Sequence, residues 1–229
     1  MKDIRMTWPL KTFLLLAIVA IFALGGDRVP QKSKQMVKIF DAQGTRAKMA
    51  RYEKRAEGWV QIGDSVVVNI GRNGLGKTKE GDGKTPVGVY PLDRVYAYHD
   101  INTSMPLFRS DENLLCVDDT NSRYYNRIVD RRRVIEDFKS YETMRRKDDL
   151  YEMLITVGYN PDHIPGRGSC IFIHVADGDK PTAGCISMKK SDLEALIKWL
   201  NPHKRPVIII ERWIPDLRFA SLKVPSIGF

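Results

Sequence analysis

The chain opens with one uninterrupted apolar run, Phe13 to Leu24; beyond it the apolar positions fall in short clusters. Met36 to Phe40, Trp59 to Ile62 and Ser65 to Ile70 have strand character. Gly44, Gly58 and the Gly63–Asp64 pair punctuate them, which predicts a β-meander. Gly71 to Gly88 is rich in Gly, Lys and Thr and reads as a long ordered loop, Val87 to Leu92 reads as a further strand, and residues 93–125 show no regular period. Arg131 to Arg133 reads as a solvated charge run. Tyr141 to Leu150 predicts a helix, Met153 to Tyr159 a strand, and Asn160 to Gly168 a loop. The β-branched and aromatic run from Cys170 to Val175 predicts a strand. Its period of two puts Ile171, Ile173 and Val175 on one face and Cys170, Phe172 and His174 on the other. Ser191 opens a helix, with Ser191 and Glu194 as a capping box. Leu193, Leu196, Ile197 and Leu200 form its apolar stripe, and Asn201–Pro202 stops it. Val207 to Ile210 lacks polar positions and reads as a central strand. The predicted fold class is mainly β, with a minor α component of a few short helices and no internal repeat.

A length of 229 residues allows one domain with a real core, or two small ones. A formal net charge of +9 favours anionic surroundings: nucleic acid, or the acidic polymers and lipid head groups of a cell envelope. The N-terminus chooses between them. Lys2, Arg5 and Lys11 precede the apolar run, and the small residues Ala23 and Gly25 stand two apart at its end, the layout of a secretory signal. The run is shorter than the roughly 20 residues of a spanning helix. It serves as an uncleaved membrane anchor only if Met6 to Leu10 extends it and Lys11 snorkels. The expected organisation is a signal or anchor over 1–26, a polar tether over 27–35, a main domain over 36–214 and a tail over 215–229.

Three cysteines, Cys116, Cys170 and Cys185, show no CxxC spacing of a zinc site or redox dithiol. An odd count in an oxidising compartment leaves at least one thiol free. Cys116 and Cys170 can form a disulfide, remain as two buried thiols, or join His174 at a metal; the first two readings are favoured over metal. A bond requires Cα atoms within about 7 Å. His99, His163 and His203 show no ligand spacing. Gly71 to Thr78, GRNGLGKT, matches a phosphate-binding loop that would put Lys77 on the phosphates of a nucleotide. Such a loop must open into a helix, and Gly81, Gly83 and Pro86 break any helix there. The loop therefore reads as a Gly-rich hairpin whose lysines face solvent or an anionic substrate.

A thiol that attacks an amide needs a base, oxyanion donors and access. Cys185 has His174 at a strand end eleven residues earlier, and Gly184 lets the backbone turn sharply beside it. Spacing alone leaves open a small buried cysteine near a satisfied histidine. The segment GRGSCIFIHVADGDKPTAGCISM closely resembles the catalytic motif of the L,D-transpeptidase (YkuD-like) family. NIGRNGLGKTKEGDGKTPVGVYPL, CVDDTNSRYYN and ITVGYN resemble further stretches of it, so the likeness covers most of residues 36–211. The resemblance implies a YkuD-like β-sandwich of mixed sheets, no cofactor and no metal. It implies Cys185 as the acyl-forming nucleophile, His174 as its base and then acid, and the backbone around Gly184 as the oxyanion hole. The implied partners are peptidoglycan stem peptides, in the periplasm or cell envelope, with transfer to an amine and the protein acting as a monomer. Many members carry Ser-His before the Gly-Cys pair and an arginine two residues after it. Here Thr182, Ala183 and Ser187 stand at those positions. Thr182, Ser187 and Arg167 are the substrate-binding candidates, Arg167 as a replacement for the missing arginine. The alternatives are a carboxypeptidase or amidase that uses water, and a non-catalytic module that binds wall polymer.

Overall fold

The computed structural model describes residues 29–212. The expected signal or anchor, the tail over 215–229, and Asp27 and Arg28 of the expected tether lie outside them. Among the described residues, no helix is long and apolar enough to cross a membrane.

Strands β1 (Gln35–Gln43), β2 (Arg46–Arg55) and β3 (Gly58–Asn69) form the expected meander. β4 (Gly88–Ala97), β9 (Met153–Val157), β10 (Phe172–Val175), β11 (Ile186–Met188) and β12 (Val207–Ile210) join them in one mixed sheet, with β5 (Leu107–Arg109) beyond β4. β12 pairs in parallel with β1 and antiparallel with β4, so the strand order closes on itself. With partners on both edges and all four residues buried, β12 has no place for a polar side chain. The helix α1 (Lys190–Trp199) lays Leu193, Leu196 and Ile197 against a core that includes Val37, Ile70, Ile155, Ile173 and Ile208. A second sheet is built from β6 (Leu114–Val117), β7 (Ile128–Asp130) and β8 (Tyr141–Thr143), in the order β7-β6-β8.

Several elements differ from the sequence reading. β2 escaped it because its buried face carries only Ala47, Met49 and Ala50 among charged neighbours, too weak an alternation to see. Gly63 and Asp64 do not separate two strands. They bulge within one, where Gly63 to Ser65 oppose the single residue Ala50 between the pairs Met49↔Val66 and Arg51↔Ile62. The helix expected over 141–150 is absent. Tyr141 to Thr143 pair with β6, and Asp148 Oδ1 accepts the Leu150 N–H in a turn. The expected capping box is absent too, because α1 starts one residue early, with Lys189 at its N-cap. The end of the expected tether belongs to the fold: Ser33 and Gln35 are buried. Gln35 Nε2 donates to Trp199 O at 2.8 Å and Gln35 Oε1 accepts from Asn201 N at 2.8 Å, which ties off the end of α1.

Candidate active site

β10 and β11 run parallel, with Ile173 opposite Ile186 and His174 opposite Ser187. Parallel neighbours need a crossover, and residues 176–185 supply it, delivering Cys185 to the start of β11. The Cys185 thiol donates to Cys170 O at 3.3 Å and its sulfur accepts from Phe172 N at 3.3 Å. Cys185 is 6% exposed and His174 7%. His174 Nδ1 lies 2.8 Å from Val175 O, a carbonyl that can only accept, so Nδ1 carries the proton and Nε2 the lone pair. The imidazole packs edge-on to Tyr151 at a centroid distance of 5.1 Å. The thiol's hydrogen bonds thus go to backbone of the Cys170–Phe172 segment rather than to the imidazole.

The turn before Cys185 is fixed from three sides. Thr182 Oγ1 accepts from Gly184 N at 3.1 Å and donates to Cys185 O at 2.6 Å. Thr85, fully buried in the GKTP segment, donates to the same carbonyl at 3.3 Å. Gly184 has φ +155°, and a Cβ there would lie 2.9 Å from Lys84 O. Gly184→Ala is therefore expected to destabilise the protein by about 1–3 kcal/mol through strain at this backbone position. A thermal melt checks this, and an unchanged midpoint would show that the turn tolerates a side chain.

Burial dominates the titration of both groups. It pushes the Cys185 thiol up to about 12, helped by the Glu142 charge, while the Phe172 N–H, Lys77 and the Tyr151 hydroxyl draw it down. Burial pushes His174 down to about 4, and the Arg146 charge acts the same way. At neutral pH the pair is thiol and neutral imidazole, not thiolate and imidazolium. Tyr151 donates its hydroxyl to Glu142 Oε2 at 2.6 Å beneath the imidazole, and burial raises both of those groups.

Cys116 and Cys170 form a disulfide with Cα atoms 6.0 Å apart, and Cys185 is the free cysteine. Cys170 has φ +54°, so the strand expected from Cys170 begins only at Phe172. Its N–H is held by Asn126 Oδ1 at 3.0 Å. Arg167 is exposed on the preceding loop, where its carbonyl accepts from Tyr159 OH at 2.6 Å. Ser187 is 1% exposed, its hydroxyl accepts from Asn69 Nδ2 at 3.4 Å, and its pairing with His174 puts both side chains on one face of the sheet. Thr182 is engaged in the turn. Lys77 does not face solvent as the hairpin reading expected: its side chain is 2% exposed and pairs with Asp82 at 3.0 Å. Tyr151, Glu142 and Thr85 carried no individual signal in the sequence. Tyr151 follows a stretch misread as helix, Glu142 lies within it, and Thr85 shows only as part of the GKTP segment.

The domain is β-rich, with a free cysteine at a tight Gly-Cys turn, one parallel strand from a strand-end histidine. The model of the YkuD family, the L,D-transpeptidase catalytic domain, matches residues 31–209, and the chain belongs to that family. No curated protein matches the chain. Among solved structures, it is similar to the helical cell shape determining protein Pgp2 from Campylobacter jejuni, with 18% identity and a TM-score of 0.41. That match covers 79% of this chain and 48% of the other, so the chain spans about half the length of that protein.

Proposed function

We propose that the protein is a peptidoglycan-modifying cysteine enzyme of L,D-transpeptidase type, working in the cell envelope, with Cys185 as nucleophile and His174 as base. Membership of the YkuD family supports the peptidoglycan role. The observation that carries the chemistry is the free Cys185 thiol on the Gly184 turn, one parallel strand away from an imidazole whose Nε2 is left as an acceptor. In the acylation step Cys185 Sγ attacks the carbonyl carbon of a stem-peptide amide. Its proton passes to His174 Nε2, and the C–N bond then breaks as His174 returns that proton to the leaving amine. An incoming amine attacks the thioester and releases the thiol. Because Thr182 Oγ1 occupies the Gly184 N–H, the Cys185 N–H is the amide assigned to the oxyanion. The exposed Arg167 guanidinium is assigned to a carboxylate of the stem peptide.

The test is incubation of wild type and Cys185→Ala with muropeptides, followed by mass spectrometry. Cross-linked products from wild type alone are expected. Shortened stems without dimers would identify water as the acceptor, and identical profiles for the two proteins would reject the enzyme reading in favour of a wall-binding module.

A further inference from the structure

The GRNGLGKT motif was set aside as a nucleotide loop, and its lysine is nonetheless in an unusual place. Lys77 is buried, and its stem fills the space beside two glycines, Gly168 just ahead of the Cys170 segment on which the thiol rests and Gly184 next to Cys185. A Cβ on Gly168 would lie 2.7 Å from Lys77 Cε, and one on Gly184 would lie 3.4 Å from Lys77 Nζ. The ammonium donates to Asp82 Oδ1 at 3.0 Å and to Lys79 O at 3.4 Å. Asp82 does not need the lysine to satisfy its carboxylate, because it also accepts the Thr78, Lys79 and Lys84 N–H groups. A lone buried ammonium is costly, whereas one beside a carboxylate is tolerated. Asp82 thus offsets the cost of keeping the ammonium next to the Gly184–Cys185 peptide.

We propose that the Lys77 ammonium, anchored by Asp82 beside Gly184, is the fixed cation that stabilises the Cys185 thiolate as it forms, making Lys77 a positioning residue for the nucleophile. This rests on Cys185 being the nucleophile. The groups that face the thiol divide by sign. Glu142 from β8 opposes ionisation; Lys77, the Tyr151 hydroxyl ahead of β9 and the Phe172 N–H of β10 favour it. His174, held neutral by burial, adds no charge until it takes the proton. Lys77 is thus the one full positive charge among these groups. Glu80, three residues further along the same loop, accepts from Tyr125 OH and Ser169 Oγ, each at 2.6 Å, which pins the loop to the segment carrying Cys170.

Cys116 and Cys170 are bonded, so alkylation of the intact protein reads Cys185 alone. The rate of its reaction with iodoacetamide is measured across neutral to alkaline pH for wild type, Lys77→Arg, and the charge-neutral double variant Lys77→Met with Asp82→Asn. The double variant removes both charges together and leaves no orphaned carboxylate. Its alkylation is expected to be about tenfold slower at a given pH, the effect of about one unit in thiol pKa, while Lys77→Arg stays near wild type. Superimposable pH profiles for the double variant and wild type would overturn the proposal. If the double variant does not fold, Lys77→Met alone leaves Asp82 held by its three backbone N–H donors and must slow alkylation; an unchanged or faster rate overturns it equally. Muropeptide turnover by Cys185→Ala reports on the nucleophile separately, so a failure there is not confused with a failure here.

Discussion

Replacing His174 by glutamine is expected to lower turnover on muropeptides by about 10²–10⁴-fold, the usual worth of a positioned general base. The side chain is buried and its Nδ1–H is fixed on Val175 O, which leaves Nε2 as the nitrogen assigned to the Cys185 proton in the proposed mechanism. The loss should fall on turnover rather than on binding, because the imidazole acts on the thiol. The wild-type pH profile carries a second signature. His174 must be neutral to act as a base, and burial holds it down to about 4. The acidic limb of kcat/KM assigned to it is therefore expected near pH 4 instead of the ordinary 6.5. A limb at 6.5, or a glutamine variant with wild-type turnover, would remove His174 from the mechanism. Stability follows the same titration. Between pH 6.5 and 4 the unfolded chain binds a proton at this site and the folded protein does not, so folding stability falls as the pH falls through that window. The full effect is about 3 kcal/mol. Urea denaturation at several pH values should show this decline in wild type and a shallower one in His174→Gln.

Removing the disulfide by the double substitution Cys116→Ser with Cys170→Ser is expected to cost about 4 kcal/mol, the chain-entropy value for a loop of this size. The bonded residues are 54 apart in sequence. In a domain of this length that corresponds to a fall of about 10 °C in Tm. The bond joins β6 of the small sheet to the residue whose carbonyl accepts the Cys185 S–H, so it links the two sheets beside Cys185. Reduction of wild type should reproduce the fall in Tm, and alkylation of Cys185 should quicken as Cys170 O is freed to move. A Tm unchanged by both treatments would show that packing of Cys116 and Cys170 in the Tyr96, Tyr151 and Phe172 cluster holds this region without the bond.

Much of the site was visible in the order of residues. The alternation through β10 correctly divided Ile171 and Ile173, which enter the main core, from Cys170 and Phe172, which join the cluster around Cys185. The stripe on α1 and the unbroken apolar run of β12 were equally readable, because each repeats one side-chain type at the period of its own element. The failures share a different cause. β2 hides its alternation behind charged outward residues. Tyr141 to Thr143, at the start of the expected helix, form a strand because β6 is there to pair with them, and no local period records a partner. Ser187 and Lys77 were both read for solvent or ligand, and both are enclosed by chain distant in sequence.

The sequence by itself determined the β-rich class, the Gly184–Cys185 turn, the strand-end histidine and the likeness to the YkuD family, since these depend on neighbours a few residues apart. Only the tertiary structure decided that Cys116 and Cys170 are bonded, that the Cys185 thiol rests on Cys170 and Phe172, and that the loop lysine is buried beside Gly184. It also decided that burial raises the Cys185 thiol and lowers the His174 imidazole, so that both favour their neutral forms. Those outcomes depend on burial and on distances between segments far apart in the chain, quantities that exist only once β10 and β11 have paired and the 71–88 loop has closed over Gly184.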